Sequence, residues 1–224
     1  MKQGFTLAEV LITLGIVGVV AVLSIPSAMK NYHNRVYTAQ LQKTYAQISG
    51  AVEMIMHDER VDNFYETKAA MAQTTTANNC TVGACYFLGN YFGAVKKNCA
   101  NTTERCIVGT PNNPYRTLTG SNAGGITSDY CVQTTNDAAI CMKREKDYVY
   151  ICVDVNGIKK PNIAGRDLFC MDIKSNGAIT DFGSKSPDPA VPGAEGKDCN
   201  TGFGNFQSAG CLSAIIDAGW KMEY

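Results

Sequence analysis

From Phe5 to Ile25 the chain is apolar at almost every position, interrupted by the carboxylate of Glu9 and the hydroxyls of Thr6, Thr13 and Ser24. Wound as a helix, these 21 residues span about 31 Å, close to the hydrocarbon thickness of a bilayer. The pattern then changes. Met29, Tyr32, Val36, Leu41, Tyr45, Ile48, Val52 and Ile55 recur at spacings of three and four, with Lys30, Arg35, Gln42 and Lys43 between them. That spacing predicts an amphipathic helix whose apolar stripe packs on a globular head. Pro26 separates the halves, lacks a backbone donor and predicts a kink.

Charged and then polar residues over 58–79 predict a helix end and a loop. Residues 80–106 hold an aromatic cluster, Tyr86, Phe87, Tyr91 and Phe92, interleaved with Leu88 and Val95, which predicts core filling. Pro, Asn and Gly over 110–125 predict another loop. From Tyr130 the period becomes two. Strands are expected around Cys131–Thr134, Ala139–Met142, Tyr148–Val155, Leu168–Ile173 and Ala178–Thr180, with turns at Lys143–Asp147 and Asn176-Gly177. Residues 183–207 predict a long loop, Cys211–Ala218 a short helix, and Trp220–Tyr224 a last strand. The expected fold class is α+β.

Composition adds the compartment. Ten cysteines, Cys80 to Cys211, all follow residue 79. An even number confined to one region points to disulfides in an oxidising compartment. There is no C-x-x-C pair, and both histidines, His33 and His57, precede every cysteine, which argues against a zinc site. Short loops and facing strands favour Cys80–Cys85, Cys99–Cys106, Cys131–Cys141, Cys152–Cys170 and Cys199–Cys211. Cys80–Cys99 with Cys85–Cys106 is the alternative for the first four. The formal net charge is zero, and no clustered basic face suggests nucleic-acid binding.

The lone carboxylate in the apolar stretch is costly in a membrane and implies a partner. Its setting, Gly4-Phe5-Thr6-Leu7-Ala8-Glu9 after a short leader containing Lys2, resembles the prepilin peptidase site of type IV pilins and type II secretion pseudopilins. The resemblance covers residues 1 to about 57. It implies a type IV pilin-like fold: a long kinked helix packed on an antiparallel sheet with disulfide-pinned loops. It implies cleavage between Gly4 and Phe5, N-methylation of Phe5, and pairing of Glu9 with a neighbouring subunit's Phe5 amine. Gly15 and Gly18 would permit close helix approach, and Gly18 with Pro26 would lend the helix flexibility. Because the peptidase cuts on the cytoplasmic face, the head would be periplasmic.

Catalytic signatures are absent: there is no G-x-S-x-G, phosphate loop or H-E-x-x-H. No nucleophile–base pair is evident. The expectation is a non-enzyme without a cofactor. Asp154, Asn156 and Asp167 offer oxygens suited to calcium, though Asn-Gly and Pro-Asn are also ordinary turn formers. This 154–167 segment resembles the sheet hairpin of pilin-like heads. The expected organisation is a leader at 1–4, a helix at 5–57 (membrane-spanning at 5–25, amphipathic at 26–57) and a head at 58–224. The expected partners are other pilin or pseudopilin subunits, prepilin peptidase and an inner-membrane assembly platform. A different reading is a membrane-anchored periplasmic binding protein that never polymerises.

Overall fold

The computed structural model describes residues 6–73, 80–100, 104–108, 114–195, 199 and 209–224. The chain forms two compact units, Met1–Val36 and Tyr37–Tyr224. Helix α1, Leu7–Glu59, begins in the first and ends in the second.

In the first unit the helix from Val10 to Ile25 is apolar on every side apart from the hydroxyls of Thr13 and Ser24. Leu7, Leu11, Ile12, Leu14, Ile16 and Val17 are all exposed. It is long and apolar enough to cross a membrane. Its hydroxyls are satisfied internally: Thr13 Oγ1 donates to Val10 O at 3.0 Å, and Ser27 Oγ to Ser24 O at 3.0 Å. α1 is helical through Pro26, whose ring removes the N–H that would otherwise bond Val22 O. Met29 and Tyr32, expected in the packing stripe, are exposed. The buried stripe starts at Tyr37, and spacing alone does not tell where a partner surface begins.

In the second unit the stripe is Tyr37, Leu41, Ile48, Val52 and Ile55, all buried, with Tyr45 packed at its edge. α1 ends in a Schellman arrangement, with Val61 N bonded to Met56 O at 3.0 Å and Arg60 N to His57 O at 3.1 Å. Arg60 occupies the left-handed position usually taken by glycine. Two short 3-10 turns follow, Phe64–Glu66 and Lys68–Ala70. The Tyr65 hydroxyl donates to Ile173 O and accepts from Val149 N, both at 3.0 Å, which ties the turn to the sheet.

The main sheet has six antiparallel strands in the order β1-β4-β5-β6-β7-β8. They are β1 (Ala94–Lys97), β4 (Tyr130–Thr134), β5 (Ala139–Arg144), β6 (Val149–Asp154), β7 (Leu168–Ile173) and β8 (Ile179–Asp181). β2 (Tyr115–Arg116) and β3 (Asn122–Gly124) form a separate pair. Alternation sorts the side chains onto two faces. Ile140, Met142, Ile151, Val153, Phe169 and Met171 join the α1 stripe in one core. Cys131, Cys141, Tyr150, Cys152, Leu168 and Cys170 face a second core, covered by Ile107, Val108, Tyr115 and Phe182. This buried, two-sided sheet is the α+β architecture the period change implied. Helix α3, Cys211–Asp217, packs against β7 and β8.

The aromatic cluster fills the core as expected: residues 84–91 form helix α2 (Ala84–Tyr91), which buries Phe87 and Leu88, and Phe87 meets Phe64 edge to face. Several local expectations are corrected. Val95, assigned to the core, is exposed on edge strand β1. The loop over 110–125 contains the β2–β3 pair. No strand forms at Trp220–Tyr224. There the side chains are used singly: Trp220 meets Tyr45 edge to face, and Tyr224 Oη donates to Gly165 O at 2.5 Å.

Candidate assembly and processing site

Thr6 and Glu9 close on one another at the start of α1. Thr6 N donates to Glu9 Oε2 at 2.9 Å, and Thr6 Oγ1 donates to the same oxygen at 2.8 Å. In return Glu9 N reaches Thr6 Oγ1 at 3.3 Å. This is a reciprocal capping box, which satisfies orphan donors at the helix N-terminus and sets a carboxylate against the positive end of the helix dipole. Thr6 was not singled out by the sequence reading. The signal was available, since T-x-x-E before an apolar run is the capping-box pattern.

Gly15 and Gly18 lie further along the same unit. A methyl group added at either would meet open space, so nothing within the unit occupies those positions. Gly4 and Phe5, the expected cleavage pair, lie outside the described residues.

The 154–167 loop places its acidic residues inward. Tyr115 Oη donates to Asp154 Oδ2 at 2.5 Å, and Asn156 N donates to Asp154 Oδ1 at 3.2 Å. Asn162 N and Ile163 N donate to the two oxygens of Asp167, each at 2.6 Å. All four carboxylate oxygens are therefore used to shape the turn. Asn156 Oδ1 and Asn162 Oδ1 are buried without a hydrogen-bond partner. Burial, followed by the charge of Asp167, pushes the Asp154 carboxyl well above its usual range. Asp167 is pushed up to about 6 by burial, against the pull of the backbone N–H groups. Among the described residues, no group of three or more His, Cys, Asp or Glu side chains gathers as a metal site.

The cysteines are joined as Cys80–Cys85, Cys99–Cys106, Cys131–Cys141, Cys152–Cys170 and Cys199–Cys211. The last bond fastens the start of α3. Asp181 on β8 reinforces it by accepting from Ser213 N at 2.8 Å and Ser213 Oγ at 3.0 Å.

An apolar membrane-length helix capped by a lone carboxylate, together with a disulfide-rich helix-on-sheet head, defines the type IV pilin-like class. Residues 1–25 match the prokaryotic N-terminal methylation motif. That motif supports a class III signal peptide, of the kind prepilin peptidase processes, at the head of a type IV pilin-like protein. No curated protein and no solved structure matches it.

Proposed function

We propose that this chain is a structural, non-catalytic subunit of a helical filament, either a type IV pilus or the pseudopilus of a type II secretion system. In this reading prepilin peptidase cuts between Gly4 and Phe5 at the cytoplasmic face of the inner membrane and methylates the new amine. The head then stands in the periplasm, and subunits polymerise through α1 on an inner-membrane assembly platform.

The observation that carries the reading is Glu9, the one carboxylate between Phe5 and Ile25, held at the head of an otherwise apolar helix. A charge in hydrocarbon is stabilised by an opposite charge. Cleavage creates one four residues away, on Phe5. Both Thr6 bonds fall on Oε2, so Oε1 is left to meet a neighbouring subunit's Phe5 amine. That contact would neutralise both charges and fix the axial register, while Leu7, Val10, Leu11 and Leu14 supply packing without direction. The 154–167 loop acts as a self-bonded turn and requires no metal.

The test has two parts. Mass spectrometry of native protein should find an N-terminus at methylated Phe5, in sheared filaments as well as in membranes. Glu9→Gln should be cleaved normally yet be lost from the filament fraction. Removing one partner of a buried charge pair costs about 3–5 kcal/mol, so the loss should be nearly complete. A Glu9→Gln chain that enters filaments at wild-type levels would reject the assembly mechanism. Cleaved protein confined to membranes would favour the non-polymerising anchored protein instead.

A further inference from the structure

Four cysteines stand in one row across the sheet. Cys131 on β4 is directly opposite Cys141 on β5, Cys141 is opposite Cys152 on β6, and Cys152 is opposite Cys170 on β7. All four point into the second core and are buried. The outer two contacts are bonded, with Cα separations of 4.1 and 4.0 Å. The inner contact, between Cys141 and Cys152, is not bonded, although it has the same register.

Backbone direction defines the inner contact further. Cys131 O accepts from Cys99 N, and Cys170 O accepts from Phe182 N, so both outer residues turn their backbones away from the row. Antiparallel pairing alternates, which turns the backbones of Cys141 and Cys152 toward each other. Pairs of that type sit about 5.5 Å apart at Cα, within the range a disulfide spans.

We infer that Cys131, Cys141, Cys152 and Cys170 form a thiol–disulfide exchange row, in which a bond can move from Cys152–Cys170 to Cys141–Cys152. The step is balanced without any net redox change. The Cys141 thiolate, having given up its proton, attacks Cys152 Sγ. A Cys141–Cys152 bond forms, the Cys152–Cys170 bond breaks, and Cys170 leaves as a thiolate that takes up a proton. Exchange favours nucleophile, central sulfur and leaving sulfur in line, and the row supplies that order across adjacent strands. The starting thiol comes from an external dithiol, which is oxidised to its own disulfide as it reduces Cys131–Cys141. Ser128 Oγ lies 3.2 Å from Cys131 Sγ and donates to it, which favours that sulfur as the departing thiolate. The head therefore has two disulfide arrangements on one fold.

Tryptic mapping separates them. Trypsin leaves Cys131 and Cys141 together in peptide 117–143, Cys152 in 147–159 and Cys170 in 167–174. Full-length protein in detergent is treated with limiting dithiothreitol, trapped with iodoacetamide and digested without further reduction. The expected result is a peptide joining 117–143 to 147–159, with alkyl label on Cys131 and Cys170. Label confined to the native pairs, Cys131 with Cys141 or Cys152 with Cys170, would overturn the inference. A Cys131→Ser chain supplies the Cys141 thiol with no reductant. There the label should move in part from Cys141 to Cys170, and label on Cys141 alone would overturn the inference. Should that variant fail to fold, the wild-type experiment decides by itself.

Discussion

The phenol of Tyr115 donates to Asp154 Oδ2 at 2.5 Å, and both side chains are fully buried. The bond ties the β2–β3 pair to the end of β6. Burial raises the Tyr115 phenol well above its ordinary range, so it stays a donor at any working pH. Tyr115→Phe strands a buried carboxyl and should cost about 1–3 kcal/mol, read as a lower urea midpoint. Adding Asp154→Asn should recover part of the loss, since a neutral group is cheaper to leave unpaired. An unchanged midpoint in Tyr115→Phe would show that the bond contributes nothing.

Mild acid should strengthen the head. Asp167 and Asp181 are both pushed up from 3.8 to about 6, chiefly by burial, and burial raises Asp172 as well. The folded state thus holds these protons more tightly than the unfolded chain. The resulting stability is fully present below pH 3.8 and is lost as pH rises through about 6. The denaturation midpoint should be higher at pH 5 than at pH 7.5. Asp181→Asn should flatten that slope, and a midpoint that rises from pH 5 to 7.5 would contradict the sign.

Calcium should leave the head unchanged. The carboxylate oxygens of Asp154 and Asp167 already accept from Tyr115, Asn156, Asn162 and Ile163, so a cation would have to displace those donors. Melting temperatures in millimolar calcium and in chelator should coincide. A calcium-dependent rise that Asp167→Asn abolishes would identify a site built on the two unpartnered oxygens, Asn156 Oδ1 and Asn162 Oδ1.

Gly165 should control the fifth disulfide. Its φ is +85°, and a methyl group there would sit 2.5 Å from Cys211 Sγ and 3.2 Å from Cys199 Sγ. Gly165→Ala should leave Cys199 and Cys211 open to alkylation. The loss of stability should be about 2–4 kcal/mol, the usual worth of such a bond. Closed thiols with wild-type stability would show that the loop yields instead.

Legibility in the sequence followed periodicity. α1 and the central strands carry long, regular apolar patterns, and those patterns placed them. α2 has only eight residues, with Gly89 and Asn90 near its end and aromatic side chains that favour neither state; Phe64 and Phe87 settle it by packing. Trp220–Tyr224 alternates as a strand does, yet it joins no sheet among the described residues, and Trp220 and Tyr224 each answer to a distant partner. Glu9 stood out as a charge among apolar residues, and the Thr6 bond was written in local spacing. The Tyr115–Asp154 bond was not legible, since 39 residues separate the two and only the folded sheet brings them together.

The two cross-strand bonds turn the middle of the sheet into a pair of closed hairpins, β4–β5 and β6–β7, joined at a seam of hydrogen bonds. Under a pulling force the seam is where the central strands part. The chain between Cys131 and Cys141, and between Cys152 and Cys170, stays locked behind its bonds and bears no load. At about 3.3 Å per residue, roughly 90 Å of contour is withheld from extension. A head pulled from its ends should therefore lengthen by that much less than the same head pulled in reducing conditions.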